Sequence, residues 1–347
     1  MWHKGYLHYH TAFRCQEESG TPRLLAEDLK KLGISFVFCA GDHGNAEGKG
    51  YWGMNTDEFG EYRDFCLKSG EEYDFPFLPA LEIHLMFPPF TERHEHHCCI
   101  PMINYLPKLE YQNDPSLAAA YTCDVGAVLD DARDNVASVV LTHPCASAGS
   151  ELFHAPEPLE IPEFNKVDYY ELLTIRGLKH NSYSFAAELQ CYLGFLKNTG
   201  VPGPACSMGV DSMQTARLPS AEKRIVPVTW LYIEGIPSVE SVYKAFNERK
   251  SYSTYGSLSL EHISPVPSKD IIICAYPEIK ASIISAGSDI EKVEIYRNGV
   301  KIFRAEGIGG KHYKLCWREN ENIKNKNYII LVKAGNEYLV TSPINFK

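Results

Sequence analysis

No run of apolar residues in this 347-residue chain is long enough to cross a bilayer, so neither a membrane-spanning helix nor a membrane partner is expected. There is no basic run and no interleaving of arginine with aromatic residues, and the formal net charge is -10. A chain of that balance predicts no nucleic acid partner. It leaves anionic small molecules open, because a bound metal ion can dominate the local field. A basic segment followed by an apolar core is missing from the N-terminus, so no secretory signal is visible. The 11 cysteines are odd in number and follow no regular spacing, which reads as reduced thiols in a cytoplasmic protein. Adjacent Cys98 and Cys99 read as small buried residues on opposite faces of a strand. Long internal repeats and low-complexity segments are also lacking.

What is present is core material: 44% of residues are hydrophobic. At this length one large α/β unit followed by a smaller unit is the natural expectation. The chain opens on Tyr6-Leu7-His8-Tyr9-His10-Thr11, a short alternating stretch that predicts a strand. Residues two apart on a strand share a face, so His8 and His10 fall side by side. That is the spacing at which two imidazole nitrogens grip one divalent ion.

Strand, loop and helix signals then alternate. Thr21-Pro22 predicts a helix start, with a stop at Gly33. Residues 34–40 form a nearly continuous apolar run, as a strand covered on both faces should, with Gly41-Asp42-His43-Gly44 at its end. A helix is expected over 56–69, closed by Gly70. Phe77–His84 is the next strand, and its Glu82 is a carboxylate inside an apolar run that needs a partner. A loop or hairpin tip over 88–95 leads to a strand beginning at His96. Further strands end at His143-Pro144, run over 168–173, and end at Gly209-Val210-Asp211, with a long helix capped by Asn181 before the last. Alternating units of this kind predict a parallel sheet or barrel. Its C-terminal strand ends would bring His8, His10, His43, Glu82, His143 and Asp211 to one face.

From about Val226 the texture changes. A strand over 228–234 and a helix capped by Ser238 are followed, beyond Pro265-Val266-Pro267, by short strand-like segments only. Asn298-Gly299 between two of them is a strong hairpin signal. The organisation expected is a unit over 1–264 and a small β-sandwich over 265–347.

In order, His8-x-His10-Thr11, Gly41-Asp42-His43, Glu82, His96, Thr142-His143-Pro144 and Gly209-Val210-Asp211 resemble the motifs of the polymerase and histidinol phosphatase (PHP) superfamily. Tyr252–Gly256, Val293–Gly299 and Thr341–Asn345 resemble its two-domain, carbaryl-hydrolase-like branch. The resemblance implies a distorted (βα)7 barrel, an Ig-like sandwich after it, and a two- or three-metal centre. It implies a first ion held by His8, His10, Glu82 and Asp211, and a second by Glu82, His96 and His143, with Glu82 bridging. The choice of His96 follows the alternation with Cys98 and Ile100; His97 and His94 remain alternatives. The family's third ion would use positions held here by Cys15, His43 and Met213. Methionine is a poor zinc ligand, so that ion is expected to be weak or absent, which frees His43 for proton donation or substrate contact.

Two divalent ions (zinc, manganese or iron) sharing a carboxylate can activate a water for hydrolysis. His43 and Asp211 are the candidate proton-transfer groups. Asp42, Glu171 and Asn181 are candidate acceptors for the outer nitrogens of the ligating imidazoles. Arg14, Lys49, Arg176 and Arg217 are candidate substrate cations, although any one of them is more often a solvated loop charge. The function expected is a metal-dependent hydrolase acting on a small-molecule phosphate ester. Amide or carbamate hydrolysis at the same site, and a metal-binding protein without turnover, are the alternatives. Assembly into a homo-oligomer is left open.

Overall fold

The computed structural model describes residues 1–10, 21–43, 53–54, 56–86, 95–101, 125–145, 157–174, 184–210, 227–322 and 324–347, with the backbone alone at 42–43, 53–54, 56–58, 84, 86 and 95. It is a mixed α/β protein built on one large curled sheet. The strands of the first part are β1 (Trp2–His10), β2 (Phe36–His43), β3 (Gly53–Met54), β4 (Phe77–Met86), β5 (Glu95–Pro101), β6 (Val140–Thr142), β7 (Tyr169–Thr174), β8 (Ala205–Gly209) and β9 (Pro227–Tyr232). Between them lie helices α1 (Pro22–Lys31), α2 (Thr56–Tyr73), α3 (Val125–Asp134) and α4 (Phe185–Asn198), and after them α5 (Val239–Asn247).

The sheet runs β9-β1-β2-β4-β5-β6-β7-β8, and its ends approach where the Val210 N–H donates to the His8 carbonyl at 3.1 Å. Pairing is parallel for β1-β2-β4 and for β6-β7-β8. The expectation of uniform parallel pairing fails at β5, which is antiparallel to both β4 and β6. The reason lies in chain length. Only residues 87–94 join β4 to β5, fewer than the dozen or so that a parallel crossover needs.

Each inner strand is buried on both faces. Tyr9, Val37, Cys39, Leu81, Cys98 and Met208 belong to an outer core that includes Leu29 of α1, Phe59 of α2, Leu129 of α3 and Leu193 of α4. Leu7, Phe38, Ala80, Cys99, Val140 and Tyr169 belong to a second core inside the curl, where α5 adds Val242 and Phe246. Phe246 stacks on Tyr169 with ring centroids 4.5 Å apart. Helix starts follow local chemistry. The Thr21 side chain accepts from Leu24 N–H, and Ser238 and Ser241 form a reciprocal capping box. Gly70 does not close α2. The helix continues to Tyr73 and stops at Asp74, the residue with left-handed φ (+47°).

The C-terminal strands are β10 (Ser251–Tyr255), β11 (Leu258–Ser264), β12 (Ile271–Ile272), β13 (Glu278–Ser285), β14 (Ile290–Arg297), β15 (Val300–Gly310), β16 (His312–Arg318), β17 (Lys326–Ala334), β18 (Glu337–Thr341) and β19 (Ile344–Phe346). β10 joins β9 to β18, so these strands extend the large sheet. β11, β13 and β16 form a separate sheet, and a third core lies between the two. Tyr252, Leu258 and Leu260, which precede Pro265, already contribute to that core. No described helix is long and apolar enough to cross a membrane.

Candidate metal centre

The inner faces of five strands converge on Glu82. It sits on β4 in the inner-facing row with Leu78 and Ala80, and it is buried. From β1, His8 and His10 reach it: His8 Nε2 is 3.4 Å from Glu82 Oε1, and His10 Nε2 is 3.0 Å from Oε2. The three residue steps of β1 from Tyr6 to Tyr9 match only two of β2, from Val37 to Cys39. This bulge keeps Tyr6 and Tyr9 on the outer core while His8 and His10 stay inside. From β5, His97 Nδ1 lies 3.1 Å from Glu82 Oε1. From the end of β6, His143 Nε2 lies 3.6 Å from the same oxygen.

His96 is placed elsewhere. Its ring meets Phe164 edge-on, with centroids 5.2 Å apart, in the outer layer. The alternation of His96 with Cys98 and Ile100 holds, but those residues face the helices. His97 and Cys99 face the curl, and of the two histidines expected as alternatives it is His97 that lies beside Glu82.

Glu171 of β7 supports the set. Its Oε2 accepts from His8 Nδ1 at 3.2 Å and from the His143 backbone N–H at 3.2 Å. With its proton on Nδ1, His8 turns an Nε2 lone pair towards Glu82 and towards His10 Nε2, 3.1 Å away. A group of acceptors aimed at one another in a buried space needs a shared cation or proton. The field reflects this. Burial disfavours the charged His8, yet Cys99, Glu171 and Glu82 outweigh it and raise its pKa well above the ordinary value. The Cys99 thiol is pushed by burial up to about 12 and is neutral near pH 7, so the two carboxylates carry the effect. Burial likewise opposes the charge on Glu82, but His8 and His10 hold its carboxyl well below the usual range.

Among the described residues, three donor groups have ligand atoms mutually within 4.8 Å: His8, His10 and Glu82; Glu82, His97 and His143; and His8, His143 and Glu171. A tetrahedral ion with ligands at about 2.0–2.1 Å keeps neighbouring donors roughly 3.3 Å apart. The spacings of His10 Nε2 from His8 Nε2, 3.1 Å, and from Glu82 Oε2, 3.0 Å, are close to that value. His143 adopts φ +31°, an uncommon conformation for a residue with a Cβ and one that is found at functional sites.

His43 ends β2 one residue beyond Asp42, the register partner of Glu82, and only its backbone is described. Asp211 follows Val210 directly but lies outside the described residues, as do Arg14, Cys15, Lys49, Arg176, Asn181, Met213 and Arg217.

No family model matches the chain, and no curated protein matches it. Among solved structures, a protein from Bifidobacterium adolescentis named provisionally as a metal-dependent phosphoesterase aligns over 64% of this chain and 91% of its own, at 13% identity and TM-score 0.40. Endonuclease Q, in complex with a 27-mer duplex carrying an abasic lesion at its active site, aligns over 71% of this chain and 56% of its own, at 11% identity and TM-score 0.40. The Endonuclease Q complex overturns the expectation that nucleic acid is excluded as a partner. Net charge was the wrong ground for that exclusion, since it averages over a surface and ignores the positive field of bound ions at one site.

Proposed function

We propose that this chain is a metal-dependent hydrolase of the PHP type that cleaves a phosphate ester of a small molecule. His8, His10, Glu82 and Asp211 hold one divalent ion, and Glu82, His97 and His143 hold the other. The support is Glu82 itself, a buried carboxylate with His10 at one oxygen and His8, His97 and His143 at the other. A carboxylate with imidazoles at both oxygens supports a bridging role. The fold reading that goes with it is a distorted (βα)7 barrel over 1–264 and an Ig-like sandwich over 265–347, as in the carbaryl-hydrolase-like branch.

Zinc, manganese or iron held by these residues would supply an activated water near neutral pH and positive charge opposite a developing oxyanion. The protein's own groups do the rest. Glu82 keeps its charge because imidazoles surround it. Glu171 fixes the His8 tautomer. His43 and Asp211 are the groups assigned to move the proton at the leaving oxygen. Arg14, Lys49, Arg176 and Arg217 are the cations assigned to substrate phosphate. Cys15 and Met213, in place of third-ion ligands, favour a second reading: amide or carbamate hydrolysis with the same two ions.

The test is hydrolysis by the purified chain, with zinc or manganese added, of phosphomonoesters, phosphodiesters including DNA, and aryl carbamates. Phosphoester cleavage that is lost on chelation and in Glu82→Gln supports the first reading. Carbamate cleavage alone selects the second, and no turnover of any substrate overturns both.

A further inference from the structure

We propose that Glu171 is a positioning residue that couples the two ion sites, so that neither is weakened through it without the other. The proposal rests on the two-ion reading above. One oxygen does both tasks: Glu171 Oε2 accepts from His8 Nδ1 and from the His143 backbone N–H, each at 3.2 Å. His8 is in the donor group with His10, and His143 in the one with His97; the two also share a third group with Glu171 itself, whose Oε2 is already engaged by both of these hydrogen bonds.

The two contacts act differently. At His8 the carboxylate fixes the proton on Nδ1, aims Nε2 inward and strengthens it as a donor. At His143 it holds a backbone whose φ of +31° is unfavourable, and so sets where the ring enters the second group. The two rings also stack, with centroids 5.7 Å apart and planes 22° from parallel. Glu171 is fully buried, so solvent does not compete for these bonds. A few tenths of an ångström of movement in Oε2 is therefore felt on both sides.

The neighbouring strand is shaped to allow this. A Cβ on Gly209 would lie 2.6 Å from Glu171 Oε1 and 3.0 Å from His8 Cβ. Only glycine at that position lets the carboxylate and the histidine pack so closely against β8.

The test is Co(II) titration of the full chain after chelator treatment, followed by calorimetry and visible absorption. Wild type is expected to take up two equivalents; uptake of none overturns the two-ion reading and the coupling with it. Given two, Glu171→Ala is expected to weaken both equivalents by about 10–100-fold. Glu171→Gln, which keeps an accepting oxygen, weakens both by less. Loss confined to one equivalent, or wild-type affinity for both, overturns the coupling and leaves the two-ion reading standing. Should Glu171→Ala not fold, as judged by circular dichroism and melting, Gly209→Ala carries the same test. It is expected to weaken both equivalents together, and unchanged affinities contradict the proposal.

Discussion

His97 Nδ1 stands 3.1 Å from Glu82 Oε1, while its neighbour His96 turns its ring edge-on to Phe164 on the opposite face of the strand. Two adjacent histidines thus have separate surroundings, and replacing them one at a time tests ligation apart from packing. His97→Ala is expected to lower the bound metal from two equivalents to one and to abolish hydrolysis. His96→Ala is expected to keep both equivalents and to lower stability by about 2 kcal/mol or more, the usual cost of emptying a packed position. Elemental analysis and urea unfolding of the two variants distinguish these effects.

Glu82 is shared by the donor group with His8 and His10 and the one with His97 and His143. Glu82→Gln keeps its shape and removes its charge. Both ions are expected to be lost together, with a fall in affinity exceeding the about 100-fold typical of a residue that only supports a ligand. Retention of one ion by this variant would contradict a bridging role.

The ion-free protein has a defined pH signature. The folded-state pKa of His8 is raised, so its contribution is fully present below the ordinary value of 6.5 and is lost as pH rises through the raised value. The pKa of Glu82 is lowered, so its contribution is present above 4.5 and is lost as pH falls through the lowered value. The chelated chain is expected to melt highest between those two ordinary values and to lose stability towards alkaline pH. Metal binding displaces protons from the imidazoles, so the stabilisation by added metal should grow as pH rises. Melting curves with and without chelator across that range measure both trends.

The Asn298-Gly299 turn joins β14 to β15 and packs on α4. Its residues have φ of +46° and +71°, and a Cβ on Gly299 would run into the Leu193 carbonyl oxygen. Gly299→Ala adds left-handed strain and a clash at once. It is expected to destabilise the chain by about 2 kcal/mol or more, visible as a lower melting temperature with the metal content unchanged.

Much of this was legible in the residue order. The Thr21-Pro22 start, the Asn298-Gly299 turn and the short C-terminal strands follow from local chemistry, and each is in the structure. The inward pairing of His8 and His10 on Glu82 follows from strand alternation and the need of a buried carboxylate for partners. Alternation does not say which face turns inward when both are buried. In β5 both Cys98 and Cys99 are buried, so the residue order offers no polar face by which to choose between His96 and His97. The reversal of β5 follows from a connection whose shortness could have been weighed. Glu171 was visible only as one of three acceptors, because its two contacts come from positions 28 and 163 residues away.

The central claim is a pair of divalent ions astride Glu82. Anomalous diffraction at the manganese edge, from crystals grown with manganese, tests it most directly. Two peaks about 3.5–4 Å apart are expected, one beside His8 and His10 and the other beside His97 and His143. No peak at Glu82, or peaks only at other residues, would contradict it.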